Sequence, residues 1–206
     1  MNEPPRTLSR NETIKAESRG LRGTLRDSLA RVQTGAIAED DTQITKFHGF
    51  YQQDDRDLRS ERARKRLEPA YSFMARLRIP GGIVTPSQWL ALERIALERA
   101  NGTIRLTTRE TVQFPGIIKG NLRPAMQAID AAMLDTIAAC GDVNRNVIAA
   151  VVPHRPALHA QLAAMARDVH AMLIAIVRDR TGMDADAAEA WLSGLRREGR
   201  YQRDVY

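Results

Sequence analysis

Two faces emerge from the segment Gly102-Thr-Ile-Arg-Leu-Thr-Thr-Arg-Glu-Thr-Val-Gln-Phe-Pro-Gly116 when it is interpreted as an extended strand. Side chains alternate across a strand with a period of two residues. One predicted face carries only polar donors, namely Thr103, Arg105, Thr107, Arg109, Thr111 and Gln113. The other predicted face is apolar and carries Ile104, Leu106, Val112 and Phe114, with a bend at Thr108 to Glu110.

The polar face indicates an anionic ligand. Its arginine, hydroxyl and amide groups can all donate hydrogen bonds, and no acidic residue lies among them. Such a donor set suits a ligand rich in carboxylate or similar anionic oxygens. An ordinary solvated sheet face is the alternative interpretation, and this segment alone does not choose between the two.

A second segment, Tyr71-Ser-Phe-Met-Ala-Arg-Leu-Arg-Ile79, alternates in the same way. Its apolar side chains are predicted on one side, and Arg76 and Arg78 on the other. If the two strands share a sheet, these arginines crowd one surface together with Arg105 and Arg109. Like charges that face each other across strands are destabilising. The pattern therefore predicts either acidic partners from elsewhere in the chain or a bound anion.

The composition of the chain indicates which kinds of partner and covalent cross-link are possible. The 206 residues are 43% hydrophobic and carry a formal net charge of +6, which favours anionic partners. Cys140 is the only cysteine, so this chain can build neither a disulfide framework nor a cysteine metal site by itself. The sequence shows no signal peptide and no apolar run long enough to span a membrane, so we expect a cytoplasmic protein.

The order of predicted elements indicates an α+β fold. A helix is predicted to begin with Thr85 as its N-cap, Pro86 at its first position and Gln88 three residues after the cap, and to end at Gly102. A second helix is predicted to start near Pro124. The resulting order β-α-β-β-α is that of a ferredoxin-like half-domain, with helices on one sheet face and the arginine face left open.

Residues 156 to about 180 are predicted to form a longer helix. Its apolar residues step by four and three along one seam that we expect to lie in a core, namely Leu158, Leu162, Met165, Val169, Met172 and Ile176. The nearby His154, His159 and His170 do not share one helical face, so no metal site is predicted there.

Several of these motifs, taken in order, resemble one known family. They are Lys15-Ala-Glu-Ser18, Leu21-Arg-Gly23, Phe47-His-Gly49, Tyr51-Gln-Gln-Asp-Asp-Arg-Asp57, Leu77-Arg-Ile-Pro-Gly-Gly82, Gln88-Trp89, Ile104-Arg-Leu-Thr-Thr-Arg109, Gln113-Phe114, Gly141-Asp142 and Asn144-Arg-Asn-Val147. The chain resembles the N-terminal third of the haemoprotein subunit of assimilatory sulfite reductase, within the sulfite and nitrite reductase family.

The resemblance implies an organisation in three parts. Residues 1–68 are expected to form an extended N-terminal arm with one helix at about 21–32. Residues 69–138 are expected to form the ferredoxin-like half-domain. Residues 139–206 are expected to be the truncated start of the sirohaem and iron–sulfur domain.

The resemblance also implies cofactors and site residues. Such proteins reduce sulfite to sulfide with six electrons, using sirohaem coupled to a [4Fe–4S] cluster. The sirohaem carboxylates are then expected to be held by Arg105, Thr107, Arg109 and Gln113, which we call the donor face. This expectation agrees with the anionic ligand that the polar face of the predicted strand indicates. Arg76 and Arg145 are expected to bind the sulfite oxygens. The implied partners are an NADPH-dependent flavoprotein subunit and the missing C-terminal half of the haemoprotein.

This chain also departs from the family pattern. A lysine motif expected after Trp191 and the four cluster cysteines are not found in it, and Cys140 is not one of those four. Pro115 stands where many relatives have histidine. We therefore expect the chain alone to be inactive as a sulfite reductase. Two alternatives stay open, a basic ferredoxin-like nucleic-acid-binding module and a non-catalytic remnant, and the sequence does not separate sulfite from nitrite.

Overall fold

The protein has an α+β fold built on a four-stranded antiparallel sheet. The computed structural model describes residues 8–137, 139 and 146–181, with side chains up to residue 172. The strands are β1 (Phe50–Asp54), β2 (Tyr71–Arg76), β3 (Arg105–Leu106) and β4 (Val112–Ile117), in the order β1-β2-β4-β3. The helices are α1 (Arg10–Glu17), α2 (Leu25–Ala30), α3 (Glu39–Phe47), α4 (Arg56–Arg64), α5 (Pro86–Arg99), α6 (Lys119–Ala131) and α7 (Pro156–Thr181), with a 3-10 turn at Pro80–Gly82.

The predicted β-α-β-β-α order is confirmed as β2-α5-β3-β4-α6. Helix α5 begins as its sequence indicates. The Thr85 hydroxyl accepts a hydrogen bond from the Gln88 backbone N–H at 3.2 Å, and the Gln88 side chain accepts from the Thr85 N–H at 2.9 Å. These two bonds satisfy donors that have no partner within a helix. Local side-chain chemistry therefore fixes where the chain turns from β2 into α5.

The start of α6 was predicted wrongly. The helix begins at Lys119, so Pro124 lies inside it rather than at its first turn. A proline removes one backbone donor from a helix interior. The buried residues on either side, Leu122, Ala125, Met126 and Ile129, hold the helix on the sheet despite that loss.

The core lies between one face of the sheet and helices α5 and α6. Phe73, Phe114 and Ile117 from the two central strands are fully buried, and Leu92 of α5 and Ile129 of α6 pack in the same cluster. Burying an aromatic or branched side chain contributes roughly 1.5–3 kcal/mol. Because the helices take this face for the core, the opposite face of the sheet is left for the polar residues.

The first 68 residues are more regular than predicted. They form helices α1 to α4, and β1 joins the sheet as its edge strand beside β2, with Phe50 opposite Ala75. Weak apolar periodicity concealed α1, α3 and α4, whereas α2 lies within the helix predicted at about 21–32. Side-chain caps begin α1 and α4, and neither α2 nor α3 has a side-chain cap bond. Ser9 and Glu12 form a capping box at α1, and the Asp55 carboxylate accepts from the Asp57 N–H at α4.

Lys119 ties the N-terminal segment to the half-domain. Its Nζ donates to three backbone carbonyl oxygens around the end of α2, those of Ser28 at 3.2 Å, Arg31 at 2.6 Å and Ala36 at 2.9 Å. A lysine that satisfies carbonyls at a helix C-terminus also complements the helix dipole. Contacts of this kind make residues 8–68 part of the folded body.

Helix α7 buries a different face from the predicted one. Along the expected seam, Met165 is 59% exposed and Met172 is 54% exposed, so the prediction of a core seam is wrong in the described part of the chain. The buried residues are Ala163, Ala166 and His170. Small side chains are needed there because Gly81 of the 3-10 turn approaches closely: a Cβ built on Gly81 would lie 3.4 Å from the Ala166 Cβ. None of the described helices is long and apolar enough to cross a membrane.

His48 makes stability depend on pH. Its side chain is fully buried, and burial lowers the pKa of His48 from 6.5 to about 4, outweighing the hydrogen bond between Nε2 and the Leu21 carbonyl. Between pH 6.5 and 4 the unfolded state therefore binds a proton that the folded state refuses. We expect the free energy of unfolding to be highest above pH 6.5 and to fall by roughly 3 kcal/mol on acidification through that window.

Urea titrations at pH 7.5, 5.5 and 4.5 measure this effect. The matched variant His48→Gln removes the titrating group and keeps a side chain that can donate to the Leu21 carbonyl. Its free energy of unfolding should change less with pH over the window. An identical pH slope in both proteins would show that His48 is not responsible.

Candidate anion-binding site

The sheet register places three donor side chains side by side. Arg76 on β2 lies opposite Gln113 on β4, and Gln113 lies opposite Arg105 on β3. Directly opposed residues in antiparallel strands have Cβ atoms roughly 4.5–5.5 Å apart. The structure therefore brings together Arg76, Arg105 and Gln113 in one row across three strands.

Gln113 separates the two arginines and bonds to one of them. With its amide oriented by its neighbours, its oxygen accepts from Arg76 Nε at 2.8 Å and from Arg76 Nη2 at 2.6 Å. Gln113 is buried and Arg76 is half-buried. The bond fixes one edge of the Arg76 guanidinium and engages the side-chain oxygen of Gln113.

A tight turn carries the next two donors. The Thr107 N–H donates to the Thr111 carbonyl at 3.0 Å, and the Glu110 N–H donates to the Thr107 carbonyl at 3.1 Å. Glu110 has a φ of 54°, so the predicted bend at 108–110 is confirmed. The Thr107 hydroxyl accepts from the Arg109 N–H at 3.2 Å and keeps its own proton for a further acceptor. This turn presents Thr107 and Arg109 beyond the end of β3.

The arginines of this face form no internal ion pairs in the part of the chain that the structure describes. Among the described residues, no carboxylate lies within 4.0 Å of the guanidinium nitrogens of Arg76, Arg105 or Arg109. Arg105 and Arg109 are also exposed. The acidic partners that could have neutralised this face are thus not supplied by the described part of the chain.

Three side chains predicted on the polar or apolar faces lie elsewhere. Arg78 is buried, and its Nη1 donates to the Ile137 carbonyl at 3.0 Å, because β2 ends at Arg76 and the chain turns away. Burial lowers the pKa of Arg78. Thr111 is buried and donates to the Leu77 carbonyl. Leu106 is 69% exposed, because β3 is a two-residue edge strand.

Sequence reasoning overlooked the role of Asn146. Its side chain is buried and holds two segments together: Oδ1 accepts from the Ile79 N–H at 2.8 Å, and Nδ2 donates to the carbonyls of Ile79 at 2.7 Å and Arg109 at 2.9 Å. A longer contact of 3.3 Å reaches the Glu110 carbonyl. Asn146 therefore clamps the turn that carries Arg109 onto the segment that follows β2. Its place within Asn144-Arg-Asn-Val147 was the only signal in the sequence.

Two sequence predictions fall outside the described residues. Arg145, expected to bind sulfite oxygens, immediately precedes Asn146, and Cys140 lies in the same stretch. In the ranges that the structure covers, no group of three or more histidine, cysteine, aspartate or glutamate side chains is arranged to hold a metal ion.

The half-domain matches a known protein family. A family model described as the nitrite/sulfite reductase ferredoxin-like half domain matches residues 65–132. The matched range contains β2, α5, β3, β4 and α6. It therefore includes Arg76, Arg105, Thr107, Arg109 and Gln113.

Curated relatives extend the match over most of the chain. The sulfite reductase [NADPH] hemoprotein beta-component of Chromohalobacter salexigens is 58% identical over 167 residues, which cover 81% of this chain and 29% of that protein. The same-named protein of a Methylobacterium species is 61% identical over 81% of this chain and 28% of its own length. That of Methylorubrum populi is 53% identical over 92% of this chain and 30% of its own length. The chain thus spans less than a third of the length of these hemoproteins.

The fold has a counterpart among solved structures. The NirA protein of Mycobacterium tuberculosis matches 70% of this chain and 28% of its own, with a TM-score of 0.56 and 25% sequence identity. Residues 65–132 therefore match the nitrite/sulfite reductase ferredoxin-like half domain, and the chain as a whole is similar to part of the sulfite reductase hemoprotein beta-components.

Proposed function

We propose that the chain supplies the anion-binding arginines of a sulfite reductase hemoprotein, and that its donor face holds the carboxylates of sirohaem. One observation carries this proposal: Arg105 and Arg109 are exposed beside Gln113, without a carboxylate partner in the described part of the chain. We also propose three parts for the chain: an N-terminal arm of residues 1–68, the ferredoxin-like half-domain of residues 69–138, and the start of the sirohaem and iron–sulfur domain in residues 139–206.

The residues present fit the carboxylate rim of sirohaem. Two guanidinium groups can each donate in a bidentate manner to a carboxylate, and the Thr107 hydroxyl adds a single donor. Gln113 accepts from Arg76 through its amide oxygen, and its amide N–H groups are the donors that we propose for a sirohaem carboxylate. When bound, sirohaem would supply the iron at which sulfite is reduced.

The sulfite-binding role is assigned to Arg76 and Arg145. A guanidinium cation can neutralise an oxyanion and polarise its S–O bonds as water leaves. Arg76 is half-buried and stands at the end of β2. Partial burial strengthens its interaction with an anion relative to a fully hydrated arginine.

The iron–sulfur cluster does not fit this chain by itself. A [4Fe–4S] cluster is held by four cysteine thiolates, and the sequence contains a single cysteine. We therefore propose that the cluster ligands come from a further segment of the haemoprotein, and that the NADPH-dependent electrons come from a flavoprotein subunit. A cytoplasmic location belongs to the same proposal. No comparison supports the nucleic-acid-binding alternative.

The proposal predicts that the isolated chain, mixed with sirohaem, will not reduce sulfite. The chain lacks the thiolates that would couple the haem to a cluster. The test supplies reduced methyl viologen anaerobically and measures sulfide, with a complete sulfite reductase haemoprotein as the positive control. Sustained sulfide production by the isolated chain would contradict this assignment of roles.

A further inference from the structure

Tyr51 lies against the guanidinium of Arg76. The centroid of its ring is 5.8 Å from Arg76 Cζ, which is the separation of a cation–π contact. Tyr51 belongs to β1, the strand beside β2, and the Arg76 N–H donates to the Gly49 carbonyl at 2.9 Å where β1 begins. The aromatic residue of the motif Tyr51-Gln-Gln-Asp-Asp55 therefore acts on the arginine directly.

Gln113 and Tyr51 restrain Arg76 from its two neighbouring strands. Gln113 holds the edge formed by Nε and Nη2, whereas the Cζ of Arg76 lies over the Tyr51 ring. Of the five N–H groups of a guanidinium, these bonds use one on Nε and one on Nη2. The remaining three are on Nη1 and Nη2, and they have no acceptor among the described residues.

We propose that Tyr51 and Gln113 are positioning residues that keep the Nη1–Nη2 edge of Arg76 open for two oxygens of one small oxyanion. This inference rests on the proposed function, in which that oxyanion is sulfite. A guanidinium that is already oriented loses less conformational freedom when the anion binds. The flat donor edge matches two oxygens on one centre better than a single ammonium group would.

The test follows the Arg76 side chain in the isolated, ¹⁵N-labelled chain by NMR while sulfite is added. The Arg76 Nε–H signal reports both the bond to Gln113 and the arrival of an anion. In the wild-type chain we expect this signal to be protected from rapid exchange and to shift with saturable dependence on sulfite. Backbone amide spectra of each variant verify that the fold is retained.

Three variants test whether Tyr51 and Gln113 affect sulfite binding by orienting Arg76. Tyr51→Phe keeps the ring and should leave the sulfite dissociation constant within about twofold of the wild type. Tyr51→Leu should raise it roughly three- to fivefold, because sulfite must then order an arginine that the ring no longer restrains. Gln113→Leu should raise it about tenfold and expose Nε–H to rapid exchange, because Arg76 loses its bonded edge and becomes ordered only when sulfite binds.

The outcomes distinguish this inference from the proposed function. Equal sulfite affinity in Tyr51→Leu, Gln113→Leu and the wild type would overturn the positioning roles while leaving the anion site intact. A protected Arg76 Nε–H that responds to both variants but not to sulfite would overturn the oxyanion role of Arg76. Equal losses in Tyr51→Phe and Tyr51→Leu would assign the effect to the hydroxyl and contradict the cation–π argument.

Discussion

The double variant Arg105→Leu/Arg109→Leu should bind sirohaem at least about 100-fold more weakly than the wild-type chain. Each arginine is exposed, and neither has a carboxylate partner among the described residues. A hydrogen bond to a charged group contributes about 1.5–3 kcal/mol. Losing two such groups corresponds to roughly two powers of ten or more in affinity. Anaerobic titration of sirohaem, followed by its visible absorption, measures the change.

A matched control removes the same charge from the other side of the sheet. Arg94 on α5 and Arg123 on α6 are exposed, and they lie on the two helices that cover the core face. Arg94→Leu/Arg123→Leu should change sirohaem affinity by less than about threefold, as expected for distant, screened charges. An equal loss in both double variants would mean that net positive charge, rather than the donor face, attracts the cofactor.

Asn146→Leu should destabilise the chain by about 3–4 kcal/mol. The variant leaves the buried Ile79 N–H without its acceptor and removes the donor to the carbonyls of Ile79 and Arg109. Leaving a buried polar group unsatisfied costs about 1–3 kcal/mol, in addition to the lost bonds. Urea unfolding at pH 7.5, monitored by circular dichroism, measures the difference.

Asn121→Leu is the matched control for Asn146. Asn121 is half-buried and donates one side-chain bond, to the Arg99 carbonyl at 3.3 Å, so its loss should cost only about 1 kcal/mol. Asn146→Asp keeps the acceptor for the Ile79 N–H but places a carboxylate against the carbonyls, so it should also be strongly destabilising. Similar stabilities for Asn146→Leu and Asn121→Leu would refute the clamp.

Elements governed by local chemistry could be predicted from the sequence. The N-cap of α5 depends on Thr85, Pro86 and Gln88, which are neighbours in the chain, and the structure has the helix where they indicate. The two-residue alternation likewise placed Arg105 and Gln113 on one face, and the register confirms it. In these cases every interaction that fixes the conformation lies within a few residues.

Features governed by distant contacts could not be predicted. The buried position of the Arg78 side chain depends on a hydrogen bond to the Ile137 carbonyl, 59 residues away. The buried position of Thr111 depends on a hydrogen bond to the Leu77 carbonyl. Periodicity identifies an amphipathic helix but not which of its faces meets the rest of the protein. For α7 the small residues Ala163 and Ala166 face the turn at Gly81, and the larger apolar residues do not.

Within the site, sequence alone identified the charges but not their arrangement. The register that sets Gln113 between Arg76 and Arg105 needs β4 to pair both with its neighbour β3 and with β2, which is distant in the chain. Tyr51 reaches Arg76 only because β1 joins the sheet. Those pairings decide which donors are already engaged and which are left for a ligand.

The most direct test is a crystal structure of this chain with sirohaem. We expect sirohaem carboxylate oxygens within about 2.7–2.9 Å of guanidinium nitrogens of Arg105 and Arg109, on the sheet face opposite α5 and α6. Sirohaem seated on another surface, with these two arginines making no contact to its carboxylates, would contradict the assignment of the donor face.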